Sequence, residues 1–298
     1  PRTAAAELSA LGRKGRWEEG LALLGQLQRH VVELDVVICS TAISACGKGR
    51  QWRQALGVLE TMLSIAVEPN LISCNSAASA CEKCGAWASA LQLMLEARHW
   101  EMAPDVITYG AVLSACEKGR QWERAVGLLV EMQRDQVRPN AIACSAAISA
   151  CEKGGQWRFA FALLAAMSRL CIRHDATSCN AAISACAKKS KWQQAIAVLA
   201  TMPELRCTPN VVSFNSALGA CKKEASRWRL ALSLLAAMPL LRLEPNVVTC
   251  NAASSACEKG GQLQALLSLL ESVPRLSAET GIGCASVASA LTTALTMT

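Results

Sequence analysis

VITYGAVLSACEKGRQWERAVGLLVEMQRDQVRPN, residues Val106–Asn140, decides the fold, because something very like it recurs every 35 residues along the chain. Val36–Asn70 (VVICSTAISACGKGRQWRQALGVLETMLSIAVEPN) matches it almost column by column, and Leu71–Asp105, Ala141–Asp175 and Ala176–Asn210 do the same. Val211–Asn246 carries one extra residue, near Ala225. Pro1–Asp35 is a worn first copy, with Leu11, Arg13 and Trp17 in the columns of Cys46, Lys48 and Trp52. The last copy, Val247–Thr280, has Leu263 in place of the tryptophan and lacks the closing Pro-Asn. The expected organisation is eight repeats (1–35, 36–70, 71–105, 106–140, 141–175, 176–210, 211–246, 247–280), followed by a partial ninth repeat or capping helix at 281–298, where Cys284 and Ala290 are in register. A fixed period of this length argues for a stack whose units touch only their neighbours, with atypical copies closing the ends.

Within one repeat the helical spacing is direct. Tyr109, Val112, Leu113 and Cys116 fall at i, i+3, i+4 and i+7, an apolar stripe for a first helix. Gly119 is expected to break it. A second helix starts near Trp122, with Ala125, Val126, Leu129 and Met132 on its buried side, and Val137-Arg-Pro139-Asn140 closes the repeat. Proline ends one repeat, and the Asn or Asp after it can cap the next helix. Composition agrees: 52% hydrophobic residues with 4% aromatics make a core of Ala, Leu, Val and Cys, which suits closely packed helices.

Sixteen cysteines suggest a disulfide or metal protein until their places are read. Counting columns from the first residue of each repeat, Cys39, Cys74, Cys144, Cys179, Cys250 and Cys284 fill the fourth, and Cys46, Cys81, Cys116, Cys151, Cys186, Cys221 and Cys257 the eleventh. Seven residues are two helical turns, so both columns share one face, and Tyr109 and Phe214 replace cysteine in the fourth. A column that accepts Cys, Tyr or Phe is a packing column of reduced, buried side chains. Cys81-Glu-Lys-Cys84 stands without a second pair, a weak metal signal. No metal ligand and no cofactor is expected. The tenth column is alanine in every copy from Ala10 to Ala256, which lets neighbouring helices approach closely. Trp17, Trp52, Trp87, Trp122, Trp157, Trp192 and Trp228 read as wedges between the two helices of a repeat, and Trp100 lies outside the pattern.

Function is expected on the opposite face of the first helix, which packing does not need. The second column is Val37, Ile72, Ile107, Ile142, Thr177, Val212 and Val248; the fifth is Ser40, Asn75, Gly110, Ser145, Asn180, Asn215 and Asn251; the ninth is mostly serine. Small hydrogen-bonding groups beside β-branched ones, repeated along a groove, suit flat polar objects taken one per repeat. The thirteenth column adds one cation to each: Arg13, then Lys48, Lys83, Lys118, Lys153, Lys188, Lys223 and Lys259. That spacing suits a threaded polyanion. A helix C-terminus also favours lysine through its dipole, and Asn or Asp at the end of a repeat also serves as an N-cap. From composition and spacing alone, RNA and peptide ligands stay balanced. The net charge of +7 permits an anionic partner. No apolar run reaches the roughly 18 residues of a membrane span, so no membrane partner is expected. The chain begins at Pro1, which reads as a fragment or processed product with any targeting peptide outside it. Only His30, His99 and His174 are present, and neither a deaminase H-x-E pattern, a G-x-S-x-G elbow nor a P-loop occurs, so no enzyme is expected.

The Val-x-Tyr/Cys-Asn/Ser opening, Ala-Cys-x-Lys-Gly, Ala-x-x-Leu in the second helix, the late Met and the closing Pro-Asp/Asn resemble the pentatricopeptide repeats over nearly the whole chain. The tetratricopeptide pattern, with its 34-residue period, fits poorly. The resemblance implies an all-α fold, a right-handed α-α superhelix (solenoid) of helix-turn-helix repeats. It also implies a monomeric reader of single-stranded RNA in organellar RNA processing, stabilisation or editing, in chloroplast or mitochondrion, acting with other RNA-processing proteins. In such a reader the fifth and last residues of a repeat select one base, and second-column residues sandwich it. Carried over, Ser40 with Asn70 is similar to an adenine reader, Asn75 with Asp105 to a uracil reader and Ser145 with Asp175 to a guanine reader. Asn180 with Asn210 and Asn215 with Asn246 are similar to pyrimidine readers. Gly110 with Asn140 and Asn251 with Thr280 depart from the pattern, and Ala5 with Asp35 is no reader. The implied target is 5′-A-U-N-G-Y-Y-(Y)-3′, the lysines taking phosphates. The alternative class is a protein-binding helical-repeat scaffold.

Overall fold

The computed structural model describes residues 2–29, 34–222, 227–262 and 264–265. Among them are fifteen helices and no strand. The chain divides into two compact units, Pro1–Ala150 and Cys151–Thr298. The first holds α1 (Arg2–Arg13), α2 (Trp17–Arg29), α3 (Val36–Lys48), α4 (Trp52–Ser64), α5 (Leu71–Cys84), α6 (Trp87–His99), α7 (Val106–Lys118) and α8 (Trp122–Arg134). It ends within α9 (Ala141–Lys153). The second continues with α10 (Trp157–Arg169), α11 (Ala176–Lys188), α12 (Trp192–Thr201), α13 (Val211–Cys221), α14 (Trp228–Leu240) and α15 (Val247–Lys259). Lys223, Leu263, Thr280 and the segment 281–298 lie outside the described residues.

Each unit is built of helical hairpins laid side by side. The first helix of a hairpin packs on the first helix of the next, as α1, α3, α5 and α7 do in one unit and α11, α13 and α15 in the other. The second helix packs on both, as α4 does on α3 and α5. The cause is visible at each start. Asp35, Asn70, Asp105, Asn140, Asp175, Asn210 and Asn246, which close one repeat, each lend a side-chain oxygen to the backbone N–H three residues on. That satisfies one orphan donor of the following helix.

The first-helix stripe is buried as expected, with Tyr109, Val112, Leu113 and Cys116 shielded from solvent. In α8 the buried set is Ala125, Leu128, Leu129 and Met132, so Leu128 takes the place expected for Val126, which is half-buried. Those four are spaced i, i+3, i+4 and i+7, whereas Val126 lies a hundred degrees round the helix from Ala125. The tenth-column alanines Ala45, Ala80, Ala115, Ala150, Ala185, Ala220 and Ala256 are buried. A Cβ on Gly12 would stand 2.9 Å from that of Ala45, so α1 and α3 touch almost backbone to backbone.

Gly119 does not end α7 through left-handed geometry, for its φ is −78°. The left-handed turn position belongs to the next residue, Arg120, at φ 57°. Gly119 is glycine because Trp87 fills the space: an added Cβ would lie 2.3 Å from the ring Cδ1. Trp17 on Gly49 and Trp228 on Gly260 repeat the contact. These three tryptophans were expected to wedge the two helices of their own repeat; their ring edges seat on the turn of the following repeat and tie neighbouring hairpins together.

Among the described residues, the fourth- and eleventh-column cysteines are buried apart from the half-buried Cys250. Burial pushes the thiol of Cys46 up to about 11 and those of Cys81 and Cys179 up to about 12. Cys84 is exposed and donates to the carbonyl of Arg50 at 3.0 Å.

Candidate nucleic-acid interface

In each unit, hydrophobic packing leaves the second-column apolar residues in solvent. Val37, Ile72, Ile107, Ile142, Val212 and Val248, all second-column, are each between 56% and 68% exposed, and Thr177 is exposed with them. Every one sits at the second residue of its helix, two after the capping residue, so within each unit these residues mark one edge of the first-helix layer. Exposed β-branched side chains repeated in register mark a surface made for contact.

Between two of these blades the polar residues meet. Asn75 Nδ2 donates to both carboxylate oxygens of Asp105, at 3.3 and 3.4 Å, and Asn75 Oδ1 accepts from the Thr108 hydroxyl at 2.6 Å. Asn180 repeats the arrangement with Asn210 Oδ1 at 3.3 Å and the Ser213 hydroxyl at 2.6 Å. Asn215 does so with Asn246 Oδ1 at 3.3 Å and the Thr249 hydroxyl at 2.6 Å. Fifth and last residues are therefore brought together in three of the expected slots. A groove of about 330 Å³ opens there in the first unit, lined by Ile72, Ile107, Asn75, Ser44, Ser76, Ser79, Gly47 and Lys83.

Burial pushes the Asp105 carboxyl up, but N–H donation from Thr108 and Ile107, the Thr108 hydroxyl and the Asn75 amide outweigh it and hold its pKa below the usual carboxylate value. Asp105 is an anion at neutral pH, an acceptor only. The other slots differ. The Ser40 hydroxyl donates to Val36 O at 2.6 Å within its own helix, and Asn70 is engaged in its cap with Ser73. Gly110 has no heavy atom within 4 Å of where a Cβ would stand, while Asn140 caps α9 through Ala143. Ser145 is buried, Asp175 caps α11, and the two fall in different units. Asn251 is exposed and its expected partner Thr280 is outside the described residues.

Among the described residues, lysines of the thirteenth column, Lys48, Lys83, Lys118, Lys153, Lys188 and Lys259, are exposed at the ends of the first helices. Lys118 is paired with Glu82 at 3.1 Å and Lys188 with Glu152 at 2.8 Å. The acids stand in the twelfth column one repeat earlier. Lys48 and Lys83 would meet Gly12 and Gly47 there, and Lys259 would meet Lys222.

Sequence reading missed the third column, Ser73, Thr108, Ser178, Ser213 and Thr249, all buried polar residues. Each lies three residues after a capping Asn or Asp, a capping-box spacing that was there to be recognised. Trp100 is explained by the structure: it lines a groove of about 440 Å³ between α4 and α6, with Leu56, Leu59, Leu63, Leu93, Glu60 and Glu96.

With the hairpins, the caps and the row of slots in place, the sequence profile of the pentatricopeptide repeat domain matches residues 22–83, 92–154 and 162–224, and that of the single repeat matches 8–30. The chain belongs to the pentatricopeptide-repeat family. Among solved structures it is similar to the pentatricopeptide repeat protein PPR10 from maize, at 26% identity and TM-score 0.68, over 91% of this chain and 39% of that one. PPR10 in complex with an 18-nt psaJ RNA element aligns at 25% identity and TM-score 0.68, over 94% of this chain and 39% of that one. The chain thus spans well under half the length of PPR10. Nuclear proteinaceous RNase P 2 from A. thaliana, at 16% identity and TM-score 0.50 over 56% of this chain and 38% of that one, shares the fold. No curated protein sequence matches. No described helix is long and apolar enough to cross a membrane.

Proposed function

We propose that this pentatricopeptide-repeat chain binds single-stranded RNA sequence-selectively, one base per repeat, as a monomer in organellar RNA processing, stabilisation or editing. The observation that carries the reading is the slot at Ile72 and Ile107: two exposed apolar blades lining a groove with Asn75, whose amide donates to Asp105. A base stacks between the blades and presents its edge to the pair. PPR10, similar over most of this chain, was solved with an RNA element bound.

Hydrogen-bonding capacity supports the letters. Asn75 keeps one N–H and Asp105 keeps carboxylate lone pairs, a donor beside an acceptor, which suits a uracil carbonyl and its N3–H. In the Asn180–Asn210 and Asn215–Asn246 slots the Oδ1 of Asn210 and Asn246 is taken by the cap, which leaves amide donors. Donors suit the N3 and O2 acceptors of cytosine. Residence in chloroplast or mitochondrion and work with other RNA-processing proteins are carried over from the family, and fractionation of tagged full-length protein tests the former.

Salt dependence separates this reading from a protein-binding scaffold. Lys48, Lys83 and Lys259 stand free of the Glu partners that hold Lys118 and Lys188. At about 0.7 per neutralised phosphate, log affinity for a matched RNA falls against log salt with a slope between about −2, for three lysines, and about −5, for seven. Glu82→Gln, which releases Lys118, steepens the slope by about 0.7. A flat salt response, or no RNA binding, contradicts the proposal; cleavage of the labelled RNA in the same titration contradicts a purely binding role.

A further inference from the structure

We infer that the hydroxyl at the third position of the following repeat is a specificity-positioning residue of the Asn75, Asn180 and Asn215 slots, fixing which edge of the reading amide faces the groove. The inference rests on the RNA-reading function proposed above. Three observations carry it. First, the geometry repeats: Thr108, Ser213 and Thr249 donate at 2.6 Å to the Oδ1 of Asn75, Asn180 and Asn215. Their approaches to the capping side chains are longer, at 2.9, 3.0 and 3.0 Å. Second, the cap does not need the hydroxyl. Asp35 and Asn140 each accept from their third backbone N–H at 2.8 Å although the residues there are Ile38 and Ala143.

Third, the hydroxyl tracks the residue it would orient. Ile38 and Ala143 follow the repeats whose fifth residues are Ala5 and Gly110, which have no amide or hydroxyl to hold. Of the four slots with Asn at position five, those of Asn75, Asn180 and Asn215 are followed by Thr108, Ser213 and Thr249 at position three, and the serine slots by Ser73 and Ser178; Asn251, in the last repeat, is followed by Gly283. A helix-capping requirement would place hydroxyls without regard to the preceding repeat.

The chemistry follows from the inventory of an amide. Held at Oδ1 by the hydroxyl and at Nδ2 by the capping oxygen, the asparagine directs its second N–H outward and presents a donor. Freed of the hydroxyl, the amide can rotate and present its oxygen, which accepts from the exocyclic amines of adenine and cytosine. The hydroxyl therefore sets selectivity without touching the base.

The test is Ser213→Ala, with Ser213→Thr as rescue, on the purified chain. Affinity is measured for four RNAs of the proposed order that differ only at the fifth base, the one assigned to Asn180 and Asn210. Losing one neutral hydrogen bond lowers pyrimidine-over-purine preference at that base by about three- to tenfold, with Ser213→Thr restoring it and preferences at other bases unchanged. In the free protein, the Asn180 side-chain amide resonances shift in Ser213→Ala and not in Ser213→Thr. If Ser213→Ala loses thermal stability but keeps the full preference and the resonance positions, the hydroxyl is only a cap and the inference falls. A wild-type chain indifferent to the fifth base overturns the RNA-reading proposal itself, and this inference with it. Should Ser213→Ala fail to fold, Thr108→Val applies the same measurements to Asn75 and the second base.

Discussion

Asn75 is held at both ends of its amide before any ligand arrives, so the cost of ordering it on binding is already met in the free fold. Its position was legible in the sequence, because the fifth column repeats; the direction of its amide was not. That direction depends on Thr108, which lies 33 residues further on and has no helical-face relation to Asn75. The lysine column was legible for the same reason, whereas its neutralisation by Glu82 and Glu152 depends on a pairing across 36 residues that only the stacking distance of the hairpins settles. Cysteines were the most misleading residues by count and the simplest by place. Their thiols, raised by burial from an ordinary 9.0 to about 11 or 12, favour the folded state while protonated. Stability is therefore intact below pH 9 and is lost as pH climbs toward those folded values. Melting temperature recorded from pH 8 upward is expected to fall in that window, with exposed Cys84 and Cys171 alkylated by iodoacetamide well before any buried column. Equal labelling of Cys46 and Cys84 in the native protein contradicts this packing role.

At the scale of the helix, periodicity made the hairpin, its apolar stripes and its Asn or Asp caps readable. Periodicity is silent about contacts between repeats, and that is where the reading of the turn needed revision. α7 does end before Gly119, as expected, but the glycine is there to make room for the Trp87 ring, while Arg120 takes the left-handed backbone. Two alanine substitutions separate these roles. Gly119→Ala forces a Cβ into the indole, as overpacked sites do, and is expected to cost about 1–3 kcal/mol. Gly110→Ala, at a half-buried position in the middle of α7 with open space around it, is expected to gain about 0.5–1 kcal/mol from helix propensity. Urea denaturation monitored by circular dichroism measures both, and the opposite order of stabilities contradicts the Trp–Gly contact. The hairpin Val106–Asn140 is thus the clearest guide to the fold and offers a base no side chain at position five, whereas its predecessor, Leu71–Asp105, carries the complete slot.

At the scale of the whole molecule, the repeat converts one local design into a row of slots within each unit, and under the proposed function a ligand is specified by their succession rather than by any single site. Fold and family were legible in the sequence because stacking needs only the period and the packing columns. The ligand's letters were assigned through resemblance, since a pair such as Asn75 and Asp105 reads equally as a cap and its neighbour until the fifth residue is seen to reach the cap of the next hairpin. The central claim is that each slot reads one base in register along the chain. It is tested most directly by selecting from a randomised single-stranded RNA pool with the wild-type chain and with Asp105→Asn, which replaces the anionic acceptor by an amide. The account predicts that the wild type enriches 5′-A-U-N-G-Y-Y-3′ and that Asp105→Asn moves the second base from uracil toward cytosine while every other position stays the same. An unchanged second base, or a change spread over several positions, contradicts it.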